Sequence, residues 1–155
     1  MHIDLKGKTI LVTGASRGIG LSLAEGLAEA GATLAAHFNQ NRAVTEALAV
    51  SLGNDARAFQ ADLAVPASCE HLFNAVVETY GRLDVLVNNA GVAPKIPFDA
   101  ATDEWLEGWD LTMAVNLRAV ELLSRLAVRH FQQHGGGRII NIASRAAFRG
   151  DTPEY

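Results

Sequence analysis

Hydrophobic residues along this chain follow two alternating patterns. Short apolar, β-branched runs are typical of strands that are buried on both faces of a sheet. Between them lie longer segments in which apolar residues recur three or four positions apart, which is helical spacing. Glycine ends several of these segments, and Pro66 stands at the start of one, as helix boundaries favour. The pattern predicts strands at 9–13, 33–38, 56–61, 84–88 and 138–143, and helices at 19–30, 42–52, 66–80 and 102–134, the last bent near Gly108.

Strands that alternate with helices along a chain predict an α/β fold with a doubly wound parallel sheet, the Rossmann type. The linkers are short and no repeat is visible, so residues 1–155 are expected to form one domain. The longest irregular stretch, residues 91–101, follows the fourth strand. Ligands of such sheets bind at the carboxyl ends of the strands, so this stretch is expected to border a site.

Composition narrows the classes of function. With 49% hydrophobic and 19% charged residues, the chain is typical of a globular protein with one core. A net charge of −4 without a basic run argues against nucleic acid as a partner. No apolar run suits a membrane helix, and the first residues lack the apolar core of a signal peptide. Cys69 is the only cysteine, so no internal disulfide is possible and a cytoplasmic location is expected.

Residues 13–20, with the sequence TGASRGIG, join the first strand to the first helix. Gly14 permits a tight turn, Gly18 lets backbone N–H groups approach a pyrophosphate, and Gly20 lets the helix pack close to the sheet. The N-terminus of the helix offers free N–H groups and partial positive charge to an anion. The segment therefore predicts a dinucleotide site, which makes residues 1–155 a dinucleotide-binding domain. The alternative is a glycine-rich turn without a ligand.

The end of the second strand indicates which dinucleotide is bound. NAD-binding proteins usually carry an acidic residue there, but residues 37–42 read HFNQNR and contain none. Arg17 and Arg42 supply cations that suit a 2′-phosphate. We therefore expect NADP(H) in preference to NAD(H). Alternatively, Arg42 only begins a solvated helix face.

Taken in chain order, the motifs resemble those of the short-chain dehydrogenase/reductase family. Besides residues 13–20, residues 88–91 (NNAG) resemble its second signature, and residues 62–63 resemble its adenine contact. Asn116 resembles the catalytic asparagine of the family's long helix, and Ser144 resembles the catalytic serine after the fifth strand. The resemblance covers essentially the whole chain. Its nearest branch is the simple single-domain one, which includes 3-oxoacyl-carrier-protein reductases and sugar or alcohol dehydrogenases.

The resemblance implies hydride transfer between a nicotinamide and a ketone or secondary alcohol. Ser144 would hydrogen-bond the reacting oxygen, and Asn116 would position a water through its backbone at a local disturbance of the helix. Each has a structural alternative, since Ser144 would also suit a turn cap and Asn116 a solvated helix face. Asn88 and Asn89 would fix the loop after the fourth strand. The candidate cofactor-binding residues are Gly14, Ser16, Arg17, Gly18, Ile19, Gly20, Asn39, Arg42, Asp62, Leu63, Asn89, Ala90 and Gly91.

The family's Tyr-x-x-x-Lys motif is not found in this sequence. Tyr155 lies closer to Ser144 than the family's tyrosine usually does, so we expect the chain to be truncated before that motif. Tyr155 as the catalytic tyrosine is the alternative. In either case the motif's lysine is not in this sequence, so residues 1–155 alone would be an inactive, dinucleotide-binding fragment of an oxidoreductase. A non-catalytic binding module is the main rival function, and an epimerase or dehydratase on the same scaffold is a third.

Several side chains are assigned from the pattern alone. A helix that is apolar all round needs cover on both sides, and by resemblance a partner subunit supplies it, so a homodimer or homotetramer is expected. His130 and His134 stand four residues apart without an acidic third ligand, so no metal site is predicted. We expect Val12 and Ile19 in the core, and Trp105 and Trp109 packed under the loop. His37 is expected on the surface at a strand end, and a contact with the adenosine phosphate of the cofactor is the alternative. The apolar positions of the long helix are Val115, Leu117, Val120, Leu122, Leu123, Leu126, Val128 and Phe131.

Overall fold

A parallel five-stranded sheet forms the centre of the molecule. The computed structural model describes residues 3–150, so Tyr155 lies outside the described residues. The strands lie in the order β3-β2-β1-β4-β5, and all neighbouring pairs are parallel. This architecture confirms the predicted α/β, doubly wound fold class. The strands are β1 (Thr9–Val12), β2 (Thr33–Phe38), β3 (Arg57–Gln60), β4 (Val85–Asn88) and β5 (Arg138–Asn141).

The helices fill the connections between the strands. The predicted helix over 102–134 consists of two α-helices joined by a π-helical segment at Ala114–Arg118. The predicted position of the disturbance, near Gly108, is wrong, because the α-helix continues through Gly108 and is interrupted only at the π-helical segment. A Cβ at Gly108 would stand 2.1 Å from Cδ1 of Ile96. The helices are α1 (Gly18–Glu29), α2 (Arg42–Leu52), α3 (Pro66–Tyr80), α4 (Thr102–Met113), α5 (Ala119–Gln133) and the short α6 (Ala146–Arg149).

Two apolar layers cover the sheet. Ile10 and Val12 of β1 point into a cluster with α1 and α2, whereas Leu11 points into a cluster with α3 and α5. All three side chains are at most 1% exposed. Burial on both faces explains why β1 is a continuous apolar run rather than an alternating one.

The position of β1 determines where a ligand can bind. From β1 the chain proceeds outward to β2 and β3, and it then returns to the other side of β1 to form β4. This reversal of strand order is a topological switch point, which leaves a crevice at the carboxyl ends of the strands. The residues after β1 and β4 therefore face each other across the predicted site.

Several predicted side-chain environments are wrong. Ile19 is 63% exposed, because it lies in the first turn of α1, beyond the end of the sheet. Trp105 and Trp109 stack with a ring-centroid distance of 5.4 Å, but each is about half exposed rather than packed under the loop. Val12 is buried as expected.

Helix α5 is amphipathic, so the expectation that it is apolar all round is also wrong. Leu123, Ala127 and Phe131 are buried against the sheet and α3, whereas Glu121 and Arg125 are exposed. Cover on two sides is therefore not required by this helix. Among residues 3–150, no helix combines the length and the apolar character needed to cross a membrane.

Candidate functional site

A cavity of about 790 Å³ opens at the carboxyl ends of β1, β2 and β4. It occupies the switch point of the sheet, which is where the fold favours a ligand. Every predicted cofactor-binding residue except Arg42 contributes to its wall. Those residues are Gly14, Ser16, Arg17, Gly18, Ile19, Gly20, Asn39, Asp62, Leu63, Asn89, Ala90 and Gly91.

The glycine turn after β1 forms one wall of the cavity. Gly14 and Gly18 adopt φ values of +67° and +55°, in a backbone region that residues other than glycine rarely adopt. A Cβ at Gly20 would lie 2.2 Å from the carbonyl oxygen of Gly14, so only glycine allows this close approach of α1. Arg17 precedes α1 without a side-chain cap, and the helix N-terminus therefore presents free N–H groups at the cavity.

The Thr13 side chain joins the glycine turn to the segment after β4. Its hydroxyl oxygen accepts the N–H groups of Asn89 at 2.9 Å and of Ala90 at 3.0 Å. The same hydroxyl donates to the Val87 carbonyl at 3.3 Å. In return, the Asn89 amide donates to the carbonyls of Thr13 and Gly14, at 2.8 and 3.2 Å. These bonds hold two opposite walls of the cavity at a fixed separation.

Asn88 anchors the same segment from below. Its amide donates to the Ser124 hydroxyl at 3.1 Å and to Oδ1 of Asn141 at 2.9 Å, which ties β4 to α5 and β5. The Asn88 Oδ1 atom is buried and has no hydrogen-bond partner among the described residues. The arrangement agrees with the expectation that Asn88 and Asn89 fix this loop.

Asn116 lies in the π-helical segment, where the resemblance implied a disturbed helix. Its side chain exchanges two hydrogen bonds of 2.8 Å with the backbone N–H and carbonyl of Val92. Leu111 and Val115, on either side of the start of that segment, line the cavity together with Val92. Asn116 thus connects α4 and α5 to the loop that borders the cavity.

Ser144 lies outside the cavity wall. It is exposed after β5, and its hydroxyl oxygen accepts the N–H of Ala146 at 3.2 Å. This contact is the turn-capping role that the sequence offered as the alternative. Among the described residues, no hydrogen bond joins Ser144 to Asn116.

His37 is buried, so its predicted surface position is wrong. The residue is 2% exposed, and its ring lies between the turn after β1 and the end of β3. Nδ1 accepts the N–H of Gly14 at 3.0 Å, and Nε2 lies 3.1 Å from the Ala61 carbonyl. Burial lowers the pKa of His37 to about 4, although the Ala61 contact opposes this shift. The ring is therefore neutral at pH 7.

Arg42 is held at the edge of the site by its neighbours. Its guanidinium bonds to Glu46 at 2.9 Å and to Gln60 at 2.6 Å, and it lies 5.7 Å from the centre of the Phe38 ring. Gln60 also donates to the Asn39 carbonyl at 2.8 Å. Arg17, in contrast, is an exposed cation on the cavity wall itself.

The loop after β3, which contains Asp62 and Leu63, is held by hydrogen bonds to its backbone. Oδ1 of Asp62 accepts the N–H of Ala64 at 2.9 Å, and Arg118 donates to the Ala64 carbonyl at 2.7 Å. The link from Arg118, at the end of the π-helical segment, was not predicted from the sequence.

Sequence reasoning did not assign several residues of the wall. Some of them lie beside predicted residues, and position at a strand end was the signal that could have found them. The others come from α4 and the π-helical segment, which are remote from the motifs in the chain. The unassigned wall residues are Phe38, Gln40, Asn41, Val92, Leu111 and Val115.

His130 and His134 stack on each other, with ring centres 4.0 Å apart. Nε2 of His130 accepts the N–H of Leu83 at 3.0 Å, so this ring is occupied by a backbone contact. Within the described part of the chain, no three His, Cys, Asp or Glu side chains come together as metal ligands.

The chemistry of the cavity suits a phosphorylated nucleotide. Free N–H groups at the start of α1, the narrow glycine approach and the Arg17 cation all favour an anion. Asp62 supplies a carboxylate at the far end of the wall, where a nucleoside can be bound by hydrogen bonds. No residue at the end of β2 that lines the cavity is acidic.

Comparison with known proteins agrees with this geometry. Residues 8–153 match the family model for short chain dehydrogenase. The D-threitol dehydrogenase of Mycolicibacterium smegmatis is 42% identical over 146 residues, which cover 92% of this chain and 55% of that protein.

Two solved structures share the fold. A short chain dehydrogenase from Burkholderia cenocepacia, in complex with NADP, superposes with a TM-score of 0.86 at 38% identity and covers 96% of this chain. A blue fluorescent protein from a metagenomic library, in complex with NADPH, gives a TM-score of 0.83 at 37% identity and 96% coverage. This chain covers 60% of each of them. It therefore spans a little more than half the length of the proteins it matches.

Proposed function

Because the chain belongs to the short chain dehydrogenase family, we propose that its cavity binds NADP(H). We further propose that the whole protein transfers a hydride between this cofactor and a ketone or secondary alcohol. The observation that carries the proposal is the glycine turn, which opens α1 onto a cavity at the switch point of the sheet. Since the chain spans only part of its relatives, binding is proposed for the chain and catalysis for the whole protein.

The residues of the cavity would divide the cofactor between them. The turn from Gly14 to Gly20 would hold the pyrophosphate, with the N–H groups at the start of α1 as donors. Asp62 and Leu63 would hold the adenine, and Ala90 and Gly91 would border the cofactor on the β4 side. When bound, the nicotinamide supplies or accepts the hydride.

The preference for NADP(H) rests on charge. Arg17 lines the cavity, and no acidic residue of the β2 end lines it, so a 2′-phosphate would meet a cation and no carboxylate. Arg42 would add a second cation at the edge, although Glu46 already shares it. The NADP and NADPH complexes of two similar structures support the same cofactor.

For the reaction itself, Ser144 would hydrogen-bond the substrate oxygen. Asn116 would hold a water through its backbone in the π-helical segment. We propose a substrate from the carbonyl, sugar or alcohol class, which the D-threitol dehydrogenase relative supports. Membership of the branch that includes 3-oxoacyl-carrier-protein reductases, a homodimeric or homotetrameric state and a cytoplasmic location remain further parts of the proposal.

Calorimetric titration with NADP and NAD tests the charge argument. Wild-type protein is expected to bind NADP more tightly. Arg17→Ala should reduce that preference about tenfold, since Arg17 is exposed and a charge-assisted hydrogen bond there contributes about 1.5 kcal/mol, the low end of the usual range. Arg125→Ala is the matched control, because Arg125 is an exposed arginine on α5 outside the cavity wall. Equal binding of the two dinucleotides by wild-type protein would contradict the NADP preference.

A non-catalytic dinucleotide-binding module is the second candidate function. The observation that favours it is that the described wall of the cavity includes neither Ser144 nor Asn116. Oxidation of NADPH against a panel of ketones, followed at the nicotinamide absorbance band with the whole protein, separates the two functions. Tight binding of NADPH without turnover of any ketone would favour the module.

A further inference from the structure

His37 is a buried polar group that none of the proposed roles uses. It is the second-last residue of β2, and its side chain reaches across the ends of two neighbouring strands. One ring nitrogen contacts Gly14, the second residue after β1. The other contacts Ala61, the first residue after β3. A single side chain therefore bridges the pyrophosphate end and the adenine end of the cavity wall.

Both bonds require one tautomer of the neutral ring. The N–H of Gly14 is a donor, so Nδ1 must be unprotonated to accept it at 3.0 Å. The ring proton then resides on Nε2, which donates to the Ala61 carbonyl at 3.1 Å. A protonated ring would direct an N–H against the N–H of Gly14 and would lose this bond.

The bond to Gly14 acts on a conformationally constrained residue of the turn. Gly14 has a φ of +67°, and its carbonyl oxygen is the atom that Gly20 approaches and that the Asn89 amide contacts. The backbone angles of Gly14 therefore affect both the start of α1 and the opposite wall. His37 binds the N–H on the other side of the Gly14 Cα atom, in the peptide that joins Thr13 to Gly14, and it is the only described partner of that N–H.

We propose that His37 is a positioning residue for dinucleotide binding, which holds the glycine turn in its binding geometry and couples it to the adenine-side loop after β3. This inference rests on the proposed function of the cavity. His37 acts through its hydrogen bonds to Gly14 and Ala61, which preorganise the glycine turn before the cofactor binds. Without the His37 side chain, only a fraction of the molecules hold the turn in the binding geometry. The apparent Kd then equals the intrinsic Kd divided by that fraction, so binding is weaker.

Substitution of His37 separates positioning from general stability. His37→Leu removes both bonds and is expected to raise the Kd for NADP about tenfold, if about one molecule in ten retains the turn. His37→Asn keeps an acceptor at the Nδ1 position and should restore the Kd to within about threefold of wild type. His130→Leu is the matched control, because His130 is also buried and also accepts a backbone N–H, but lies outside the cavity wall.

The titrations use the full chain at 15 °C, after circular dichroism and urea unfolding show that each variant is folded. The proposal expects His130→Leu to lower stability while leaving the Kd unchanged. It is overturned if His37→Leu binds like wild type, if His37→Asn fails to recover affinity, or if His130→Leu weakens binding equally. Imidazole ¹⁵N spectra at pH 7 should show the proton of His37 on Nε2, and a proton on Nδ1 would also overturn it.

The same titrations distinguish this proposal from the proposed function. If wild-type protein binds neither NADP nor NAD, the function of the cavity is wrong. If wild-type protein binds and His37→Leu binds equally well, only the role of His37 is wrong.

Discussion

Replacement of Thr13 by valine tests the junction between the glycine turn and the segment after β4. Valine has nearly the same shape, so the change removes the hydroxyl without opening a cavity. Thr13 is 1% exposed, and water cannot readily replace the lost group. The Thr13 hydroxyl oxygen accepts the N–H groups of Asn89 at 2.9 Å and of Ala90 at 3.0 Å, and valine leaves both groups without this partner. The Val87 carbonyl loses the hydroxyl donor but still accepts a hydrogen bond from the Thr13 backbone N–H at 3.0 Å.

The cost follows from the number of donors that lose their acceptor. A buried polar group without a partner costs about 1–3 kcal/mol, and both N–H groups here are partly buried. We therefore expect Thr13→Val to lower the free energy of unfolding by about 2–4 kcal/mol. Thr13→Ser retains the hydroxyl and should cost less than about 1.5 kcal/mol, mainly through the lost methyl group.

Urea unfolding of the three proteins, followed by far-ultraviolet circular dichroism, measures these differences directly. Calorimetric titration with NADP should also show weaker binding to Thr13→Val than to Thr13→Ser, because the two walls of the cavity lose their link. A Thr13→Val protein as stable as wild type, or less affected than Thr13→Ser, would refute the reasoning.

Two further predictions concern the glycine turn and the buried histidines. Gly20→Ala should lower stability by about 1–3 kcal/mol and abolish dinucleotide binding, because its Cβ would meet the Gly14 carbonyl. Gly26→Ala, in the same helix with open space around it, should raise stability by about 0.5–1 kcal/mol; equal effects in urea unfolding would contradict the packing argument. Stability should also fall by up to about 3 kcal/mol as pH decreases from 6.5 toward 4, because burial lowers the pKa of His37 to about 4 and the unfolded chain takes up the proton first. Burial and the nearby His134 lower the pKa of His130 as well, in the same direction, so a flat stability profile over this interval would refute both assignments.

Local signals in the sequence were sufficient for the strands and most of the helices. Pro66 begins α3 and Gly81 ends it in a left-handed conformation, as these residue types favour. The glycine spacing after β1 likewise predicted a turn whose close contacts the structure shows. Features that depend on one residue and its immediate neighbours in the chain were therefore predictable.

Features that depend on remote contacts were not predictable in the same way. Gly108 suggested a bend, but its missing side chain instead admits Ile96, and the helix is disturbed where Asn116 bonds to the backbone of Val92. The resemblance indicated a disturbance at Asn116, whereas hydrophobic spacing did not. His37 was assigned to the surface because a polar residue at a strand end usually lies there, and its partners come from two other strands.

Arg42 combines both kinds of information. Its pairing with Glu46 follows from the four-residue spacing on a helix, whereas its contact with Gln60 arises only from the neighbouring strand. Charge alone placed Arg42 at the cofactor, but the structure shows that the two partners hold it at the edge of the cavity. Its contribution to NADP binding stays a prediction.

Titration of the chain with NADPH and NADH, followed by nicotinamide fluorescence, tests the central claim most directly. The account predicts saturable binding of one NADPH per chain, weaker binding of NADH, and loss of both signals in Gly20→Ala. Absence of a saturable signal with either dinucleotide, from wild-type protein with its native circular dichroism spectrum, would contradict it.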